Sequence, residues 1–494
     1  MSFNVLETTI DEIHAAYKTG QLTCRQLVQI YLDRIEAYDK KGPAINAIIT
    51  LNSEALKEAD RLDAAFKTSG FVGPLHGIPV AVKDQADAAG MPTTLGSVLF
   101  KNHRPERDCF VVENLKKAGA VILGKTTLGE LGGGDTHGSL FGSTRNPYDL
   151  ERTVGGSSGG SAACVTANFS TVAVGQEGLA SIRRPSTWNS IAGMRPTAGL
   201  VSRGGVYAGW PSINGSLGPM ARTVTDLAKL LDVMVGYDPE DPVTAWGVGH
   251  APESYTKFLD KNGLKGARLG ILRESMGLGS EPESDDFKKI DEVFNKAIGE
   301  LKAAGAELVD PIVIPDLKLL LAKRSGSFTD EEESFNRYFG RSANPPFKSR
   351  AEAAASLDFA KVVRRSQERW KRAPDNNAHY EYLKAREELM TNLLTVMADN
   401  KLDAIVHKAV EHQPTLIKDG LNPPFVDQKG APHLNTYLVY VPSIVVPAGF
   451  TRDNLPAGIT FLGRPYDDAA MIKLAYAYEQ ATRHRKPPPA TTPL

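Results

Sequence analysis

The sequence predicts an α/β fold built around a buried sheet, and two observations support this prediction. Along the chain, short apolar segments typical of buried strands alternate with segments of helical periodicity. The composition, with 41% hydrophobic and 23% charged residues in a chain of 494, is that of an ordinary globular protein. Length alone is compatible with about three domains, but large enzymes often bury one continuous core.

In the first part of the chain, strands and helices alternate regularly. Thr23 can cap a helix over residues 23–38, and Gln26 can complete a capping box. The other predicted elements here are strands at 46–51, 77–82 and 120–123, and helices ending near residues 67 and 118. Lys83 and Asp84 directly follow the second strand.

The remainder of the chain continues the alternation, with one long polar insertion. Strands are predicted at 268–273, 403–407, 439–450 and 455–463, and helices at 222–235, 285–304 and 468–483. Residues 315–400 are helical and polar. They contain a basic run at Arg364, Arg365 and Arg369–Arg372, which we interpret as the solvated face of a helix. Its dry face is predicted to comprise Leu357, Phe359, Val362, Val363 and Trp370.

Charge and cysteine content exclude several classes of function. The formal net charge is −1, so neither nucleic acid nor an anionic membrane is expected as a partner. The three cysteines, Cys24, Cys109 and Cys164, are too few for a disulfide framework and fit a reducing compartment. The start of the chain lacks the basic and apolar regions of a secretory signal, and no window of 18 apolar residues occurs. A cytoplasmic location is therefore expected.

Two short patterns match known motifs only by accident, and a third pattern matches none. Residues 119–126 satisfy the P-loop pattern GxxxxGK[ST], but their middle residues are Ala-Val-Ile-Leu, which favour a strand over a phosphate-binding loop. Residues 155–159 satisfy G-x-S-x-G, but the polar segment before them does not predict the buried strand that a nucleophile elbow needs. His407, Glu411 and His412 match no metal-binding spacing. We therefore expect no metal and no organic cofactor.

Three further segments carry a more specific signal: GIPVAVKD at 77–84, GGSSGGS at 155–161 and GQEGLASIRRP at 175–185. Together they resemble the amidase signature family, and their order and offsets agree with it. Segments 216–226 and 442–465 extend the resemblance. It is clear over about 1–240 and 400–485, whereas about 245–400 carries little of it and is expected to build the substrate entrance.

The resemblance implies a fold and a set of catalytic roles. The fold would be one domain over 1–494, with a mixed sheet covered by helices on both faces. Ser181 would be the nucleophile, Ser157 a proton relay held by a cis peptide bond, and Lys83 the base. This is chemically reasonable, since a serine hydroxyl needs a neighbouring base. A lysine serves as that base only when neutral, which burial at the end of the apolar strand 77–82 would favour.

The resemblance also implies an oxyanion hole, although this sequence departs from the family there. The expected N–H donors are Gly178, Leu179, Ala180 and Ser181. Leu179 and Ala180 replace the usual glycines, so we expect a narrowed or reshaped acyl pocket. Gln176-Glu177 replace the usual Thr-Asp pair, and Glu177 is expected to pair with Arg183 and brace the loop. Other candidate pocket residues are Gly133, Gly134, Tyr207 and Trp210, with core packing an equal alternative for the two aromatics.

The activity implied is hydrolysis of the C–N bond of a small amide other than a peptide bond, an aryl amide included, with esters and carbamates also open. One alternative is the glutaminase subunit of a tRNA-dependent amidotransferase, which requires a partner subunit. Another is a non-catalytic interaction protein with the same fold. Assembly as a homodimer is left open.

Overall fold

The structure is a computed structural model that describes residues 3–207, 215–324 and 331–494. Trp210, one of the two aromatic pocket candidates, lies outside the described residues. In chain order the strands are β1 Ile48–Leu51, β2 Pro79–Lys83, β3 Val121–Thr126, β4 His137–Gly138, β5 Gly142–Ser143, β6 Arg145–Asn146, β7 Asp149–Thr153, β8 Val172–Glu177, β9 Ala192–Arg195, β10 Ser216–Ala221, β11 Arg268–Leu272, β12 Glu307–Ile312, β13 Ala404–Lys408, β14 Ser443–Phe450 and β15 Pro456–Leu462.

The α-helices alternate with these strands and begin at side-chain caps in several places. They are α1 Ile10–Lys18, α2 Cys24–Arg34, α3 Ala55–Ser69, α4 Phe110–Lys117, α5 Gly159–Thr166, α6 Arg183–Trp188, α7 Val224–Met234, α8 Asp285–Ala303, α9 Leu317–Leu321, α10 Glu331–Phe339, α11 Arg350–Ala355, α12 Arg364–Lys371, α13 Asn376–Asp399, α14 Ile417–Leu421 and α15 Asp468–Thr482. The capping box predicted at Thr23 and Gln26 is present, and it begins α2.

Within the described residues, one mixed sheet of eleven strands forms the centre of the molecule. Its order is β1-β3-β2-β8-β10-β9-β14-β15-β13-β11-β12. The pairs β3–β2 and β2–β8 are parallel, as are β13–β11 and β11–β12, and the other pairs are antiparallel. Every residue of β2, β3, β8, β10, β13 and β15 is buried. Because successive side chains point to opposite faces, both faces of the sheet are covered there. The predicted α/β class with a mixed sheet is confirmed.

Four strands of this sheet were not predicted from the sequence: β8, β9, β10 and β12. Gly218 and Pro219 lie within β10, and Pro311 lies within β12. Glycine and proline normally mark breaks in a strand pattern, so these segments carried a weak signal. In the structure, pairing with neighbouring strands outweighs that local preference.

The polar insertion forms α9 to α13, as predicted, but its arginines are arranged differently from the prediction. Phe359, Val362 and Trp370 belong to a buried aromatic cluster, whereas Leu357 is 95% exposed, so its assignment to the dry face is wrong. Arg365 and Arg369 line a cavity, although the side chain of Arg365 remains 42% exposed. No described helix has the length and apolarity to cross a bilayer.

Candidate active site

Lys83 is the last residue of β2 and is completely buried. Its Nζ atom donates a hydrogen bond of 2.7 Å to Oγ of Ser157 and one of 3.2 Å to the carbonyl oxygen of Gln176. The parallel pairing of β2 with β8 explains this placement, since parallel strands end at the same edge of a sheet and Gln176 lies near the end of β8.

The surroundings of Lys83 favour a neutral amine. Burial lowers the pKa of Lys83 well below its ordinary value, and the negative charge of Glu177 opposes this only in part. Both hydrogen-bond partners of its Nζ are uncharged. A neutral lysine amine is a base, so this side chain is suited to accept a proton from Ser157.

Ser157 lies in the glycine-rich segment that precedes α5. The peptide bond between Gly156 and Ser157 is cis. A side chain at Gly156 would collide with the carbonyl oxygen of Gly134, so only glycine allows these two segments to approach so closely. The next residue, Ser158, fixes the segment to the neighbouring loop, since its N–H donates 2.9 Å to the carbonyl oxygen of Ser181 and its hydroxyl donates 3.1 Å to that of Gln176.

Ser181 lies in the short loop between the end of β8 and the start of α6, and the residue is 6% exposed. Among the described residues, the N–H groups of Gly178, Leu179, Ala180 and Ser181 have no acceptor, whereas those of the next two residues both donate 2.8 Å to Glu177. The loop therefore presents free N–H groups beside a serine hydroxyl, which is the composition that an oxyanion hole needs.

The carboxylate of Glu177 braces the loop that carries Ser181. Besides accepting the two N–H groups of Ile182 and Arg183, its carboxylate accepts 2.7 Å from Nε of Arg183, and Nη1 of Arg195 lies 3.8 Å away. Burial raises the pKa of Glu177, but the charges of Arg183 and Arg195 outweigh it and lower the pKa below the ordinary value. The expected contact between Glu177 and Arg183 is thus present, within a buried network of three charges.

A cavity of about 410 Å³ opens onto Ser181. Of the predicted oxyanion and pocket residues, Gly178, Leu179, Ser181, Gly133 and Tyr207 line it. Gly134 and Ala180 are not among the lining residues. Gly134 lies against Arg365 and the carboxylate of Asp427, and Ala180 is buried with Leu179 in a small apolar cluster that includes Ala431.

Several lining residues were not singled out as functional from the sequence. Gln85 follows the base by two positions, and its Nε2 donates 2.8 Å to the carbonyl oxygen of Tyr207. The insertion contributes Arg324 and Arg369. Position next to the GIPVAVKD segment was an available signal for Gln85, whereas the arginines belong to a segment without a recognisable motif.

The P-loop pattern at residues 119–126 has another structural role. Residues 121–126 form the buried strand β3, and Nζ of Lys125 lies 3.1 Å from the carboxylate of Asp84. This lysine forms an internal ion pair and does not extend toward a ligand in solvent.

Comparison with known proteins identifies the family. The family model described as Amidase matches residues 26–472. A protein of Arabidopsis thaliana described as a probable amidase is 34% identical over 99% of this chain and 92% of its own length. The chain belongs to the amidase signature family. The resemblance predicted from the three segments is confirmed.

Two other members of the amidase signature family show how its functions diverge. A glutamyl-tRNA(Gln) amidotransferase subunit of Methanosarcina barkeri is 32% identical over 96% of this chain and 97% of its own length. The X-ray structure of native peptide amidase from Stenotrophomonas maltophilia is 33% identical, covers 99% of both chains and matches with a TM-score of 0.87. The family consists of hydrolases that act on C–N bonds, and these relatives differ in the substrates that their names give.

Proposed function

We propose that this protein hydrolyses the C–N bond of a small amide through an acyl-enzyme formed on Ser181. The main support is the hydrogen bond of 2.7 Å from the buried amine of Lys83 to Oγ of Ser157. The residue after Ser157 is Ser158, whose N–H donates to the carbonyl oxygen of Ser181. A buried lysine without an adjacent carboxylate is costly to keep in a fold, and base catalysis gives it a purpose.

In the proposed reaction, Oγ of Ser181 attacks the amide carbonyl carbon while its proton passes to Ser157 and the proton of Ser157 passes to Lys83. The N–H groups of residues 178–181 stabilise the negative oxygen of the tetrahedral intermediate. The C–N bond then breaks, and the leaving nitrogen takes the proton that Lys83 holds, returned through Ser157. Water attacks the acyl-enzyme by the same proton path and releases the carboxylic acid and free Ser181.

The substrate class belongs to the proposal as well. An amide is favoured over an ester or a carbamate because of the family, although a serine acyl-enzyme is compatible with all three, aryl substrates included. Since one relative is named a peptide amidase, peptide-type amides are candidates too. The proposed substrate class therefore includes peptide-type amides beside the expected non-peptide amides.

A glutaminase subunit of an amidotransferase is the second candidate, because an amidotransferase relative aligns over nearly the whole chain. It predicts ammonia release from glutamine, and a stable complex with a partner subunit. The panel of substrates described next includes glutamine and therefore tests this second candidate.

The decisive experiment measures hydrolysis of an aliphatic amide, an anilide, a peptide amide, an aryl ester, an aryl carbamate and glutamine by the wild type and by Ser181→Ala. We expect turnover of at least one amide, and a loss of about a thousandfold or more in Ser181→Ala, as for removal of an activated serine nucleophile.

Ser186→Ala is the matched control, since Ser186 lies on α6 and its buried hydroxyl has no hydrogen-bond partner among the described residues. It should retain wild-type turnover. Equal activity in Ser181→Ala and wild type would exclude Ser181 as the nucleophile. Turnover of glutamine alone would favour the glutaminase, and no turnover by the wild type would favour a non-catalytic role or a missing partner.

A further inference from the structure

The cavity that opens onto Ser181 is strongly cationic. Among the described residues, five arginines line it: Arg324, Arg350, Arg365, Arg369 and Arg372. Only two acidic side chains line it, Glu331 and Glu368. General acyl transfer at Ser181 needs none of this charge, so the excess calls for a separate explanation.

The two acidic residues are already engaged by arginines other than Arg324 and Arg369. Glu331 lies 2.5 Å from Nη2 of Arg350, and Glu368 lies 2.9 Å from Nη1 of Arg364. Arg365 is also accounted for, since its Nε lies 2.5 Å from the carboxylate of Asp427. Carboxylates therefore neutralise Arg350 and Arg365, which leaves Arg324 and Arg369 to be considered.

Arg369 has no carboxylate partner among the described residues. Its Nη2 donates 2.7 Å to the carbonyl oxygen of Leu131, and its buried Nε has no hydrogen-bond partner. Its guanidinium lies so close to Gly133 that a side chain there would collide with Nη1. Arg369 thus approaches a glycine that the family resemblance predicts at the substrate.

Arg324 resembles Arg369 although it comes from a different part of the insertion, just after α9. Its Nη1 lies 3.3 Å from Nε2 of His433, and its Nε is buried and also lacks a partner within the described part of the chain. Burial and the charge of Arg324 lower the pKa of His433 to about 4, so the histidine is neutral and does not add to the positive charge. It does not neutralise Arg324 either.

In both arginines the Nε atom is buried and has no acceptor among the described residues, an arrangement that costs free energy. Burial lowers the pKa of both arginines and the positive charge of Arg365 lowers each further, although the negative charge of Glu331 raises the pKa of Arg369. Buried polar groups are normally hydrogen-bonded, and the planar guanidinium fork matches a carboxylate in particular. An anion bound in this cavity would satisfy the free donors and offset the repulsion from Arg365.

We propose that Arg324 and Arg369 form an anion subsite that binds a carboxylate group of the amide substrate. Because one cavity contains both arginines and Ser181, the carboxylate and the scissile amide belong to the same small molecule. This inference rests on the proposed amidase function and specifies its substrate as a carboxylate-bearing amide.

The first test measures binding, so that it does not depend on turnover. Isothermal titration calorimetry with the Ser181→Ala protein compares succinamate, glutaramate, adipamate and pimelamate with their neutral diamides, which match them in shape. We expect at least one amidate to bind about tenfold more tightly than its diamide, as a charge-assisted hydrogen bond provides. Adding Arg369→Gln or Arg324→Gln should remove this preference.

Lys371→Gln is the matched control, since it removes one positive charge from the same helix at a side chain that lies over Phe359 and outside the cavity lining. It should leave the preference unchanged, and thermal unfolding shows that each variant is folded. Equal binding of amidates and diamides, failure of all four amidates to bind, or a preference that survives both arginine substitutions would overturn the subsite.

The second test measures kcat/KM for ammonia release from the same pairs by the protein with Ser181 intact. Hydrolysis with an amidate preference of about tenfold supports both proposals. Hydrolysis without that preference overturns the subsite and leaves the amidase function standing. Amidate binding without hydrolysis of any amide overturns the amidase function and leaves the anion subsite standing. The two failures are therefore distinguishable.

Discussion

At the scale of single residues, Lys83 and Lys125 differ in a way that explains why only one of them is suited to proton transfer. Both are fully buried, and they lie on the adjacent parallel strands β2 and β3. Lys125 pairs with the carboxylate of Asp84 at 3.1 Å, whereas Nζ of Lys83 contacts a hydroxyl and a carbonyl oxygen. A carboxylate beside a lysine stabilises its charge, and the lack of one beside Lys83 favours the neutral base.

The pH dependence of the reaction should report the state of Lys83. Because the reaction needs the neutral amine, kcat/KM for an uncharged amide should rise with pH as Lys83 loses its proton. Since burial lowers that pKa, the rise should be complete well below about pH 10, where an ordinary lysine titrates. A profile that rises only near pH 10, measured over the stable pH range, would contradict this role.

Glu177→Gln should change both stability and the pH profile. It leaves Arg183 and Arg195 buried without their counter-charge, so we expect the free energy of unfolding to fall by about 3 kcal/mol. It also removes the charge that raises the pKa of Lys83, so the rising limb of kcat/KM should move to lower pH. Denaturant unfolding and a pH–rate profile test the two effects.

Glu113→Gln is the comparison for this variant, because Glu113 forms only an exposed ion pair with Lys117. Its effect on unfolding should stay within about 0.5 kcal/mol. Unchanged stability and rate in Glu177→Gln would show that the brace is unimportant.

At the scale of elements, α12 is anchored to the molecule by Trp370. This side chain is buried among Phe100, Phe335 and Phe359, with ring centroids 6.0 to 6.4 Å away. The guanidinium of Arg350 lies 5.1 Å from its ring centroid. The helix that carries Arg369 is therefore held by an aromatic cluster.

Trp370→Ala should lower the free energy of unfolding by about 3–5 kcal/mol, the usual cost of truncating a large buried aromatic. Urea denaturation followed by circular dichroism measures it. Leu357→Ala, a few residues before the helix and 95% exposed, should have almost no effect. If the two variants are equally stable, the cluster does not anchor the helix.

The elements also show what the sequence allowed us to predict. The apolar run at 77–82 and the Thr23 cap have local signals, and both elements are present. Strand β10 contains Gly218 and Pro219, and its strand pairing depends on neighbours that are distant in the sequence. Arg369 looked like a solvated charge because a helical pattern does not reveal that another segment encloses it.

The candidate site was predictable only through the family resemblance. Lys83 and Ser157 are 74 positions apart, and no periodicity or spacing rule brings them together. The cavity lining from the insertion had no such guide, since the resemblance is weak there. Reshaping of the pocket by Leu179 and Ala180 stays a prediction, and of the two only Leu179 is among the residues that line the cavity.

At the scale of the whole molecule, the continuity of the sheet is the main feature. Strands β11 and β12 from the variable part pair in parallel with the rest through β13, which pairs with β15. The segments that resemble the family and those that do not are thus joined by hydrogen bonds, in a sheet without an interior gap among the described strands.

This continuity leads us to expect one cooperative unfolding transition. Differential scanning calorimetry should show a single peak whose calorimetric and van't Hoff enthalpies agree. Two resolved peaks would indicate that the chain is divided into separately folding units.

The parallel pairing of β2 and β8 has a consequence for how this protein tolerates changes in chain length. Side chains alternate between faces, so one residue inserted within β2 would turn Lys83 toward the opposite face and away from Ser157. An insertion between α10 and α11 would alter only the enclosure of the cavity. Evolution and laboratory libraries alike should therefore find new specificities by lengthening the insertion, while the length of β2 stays fixed.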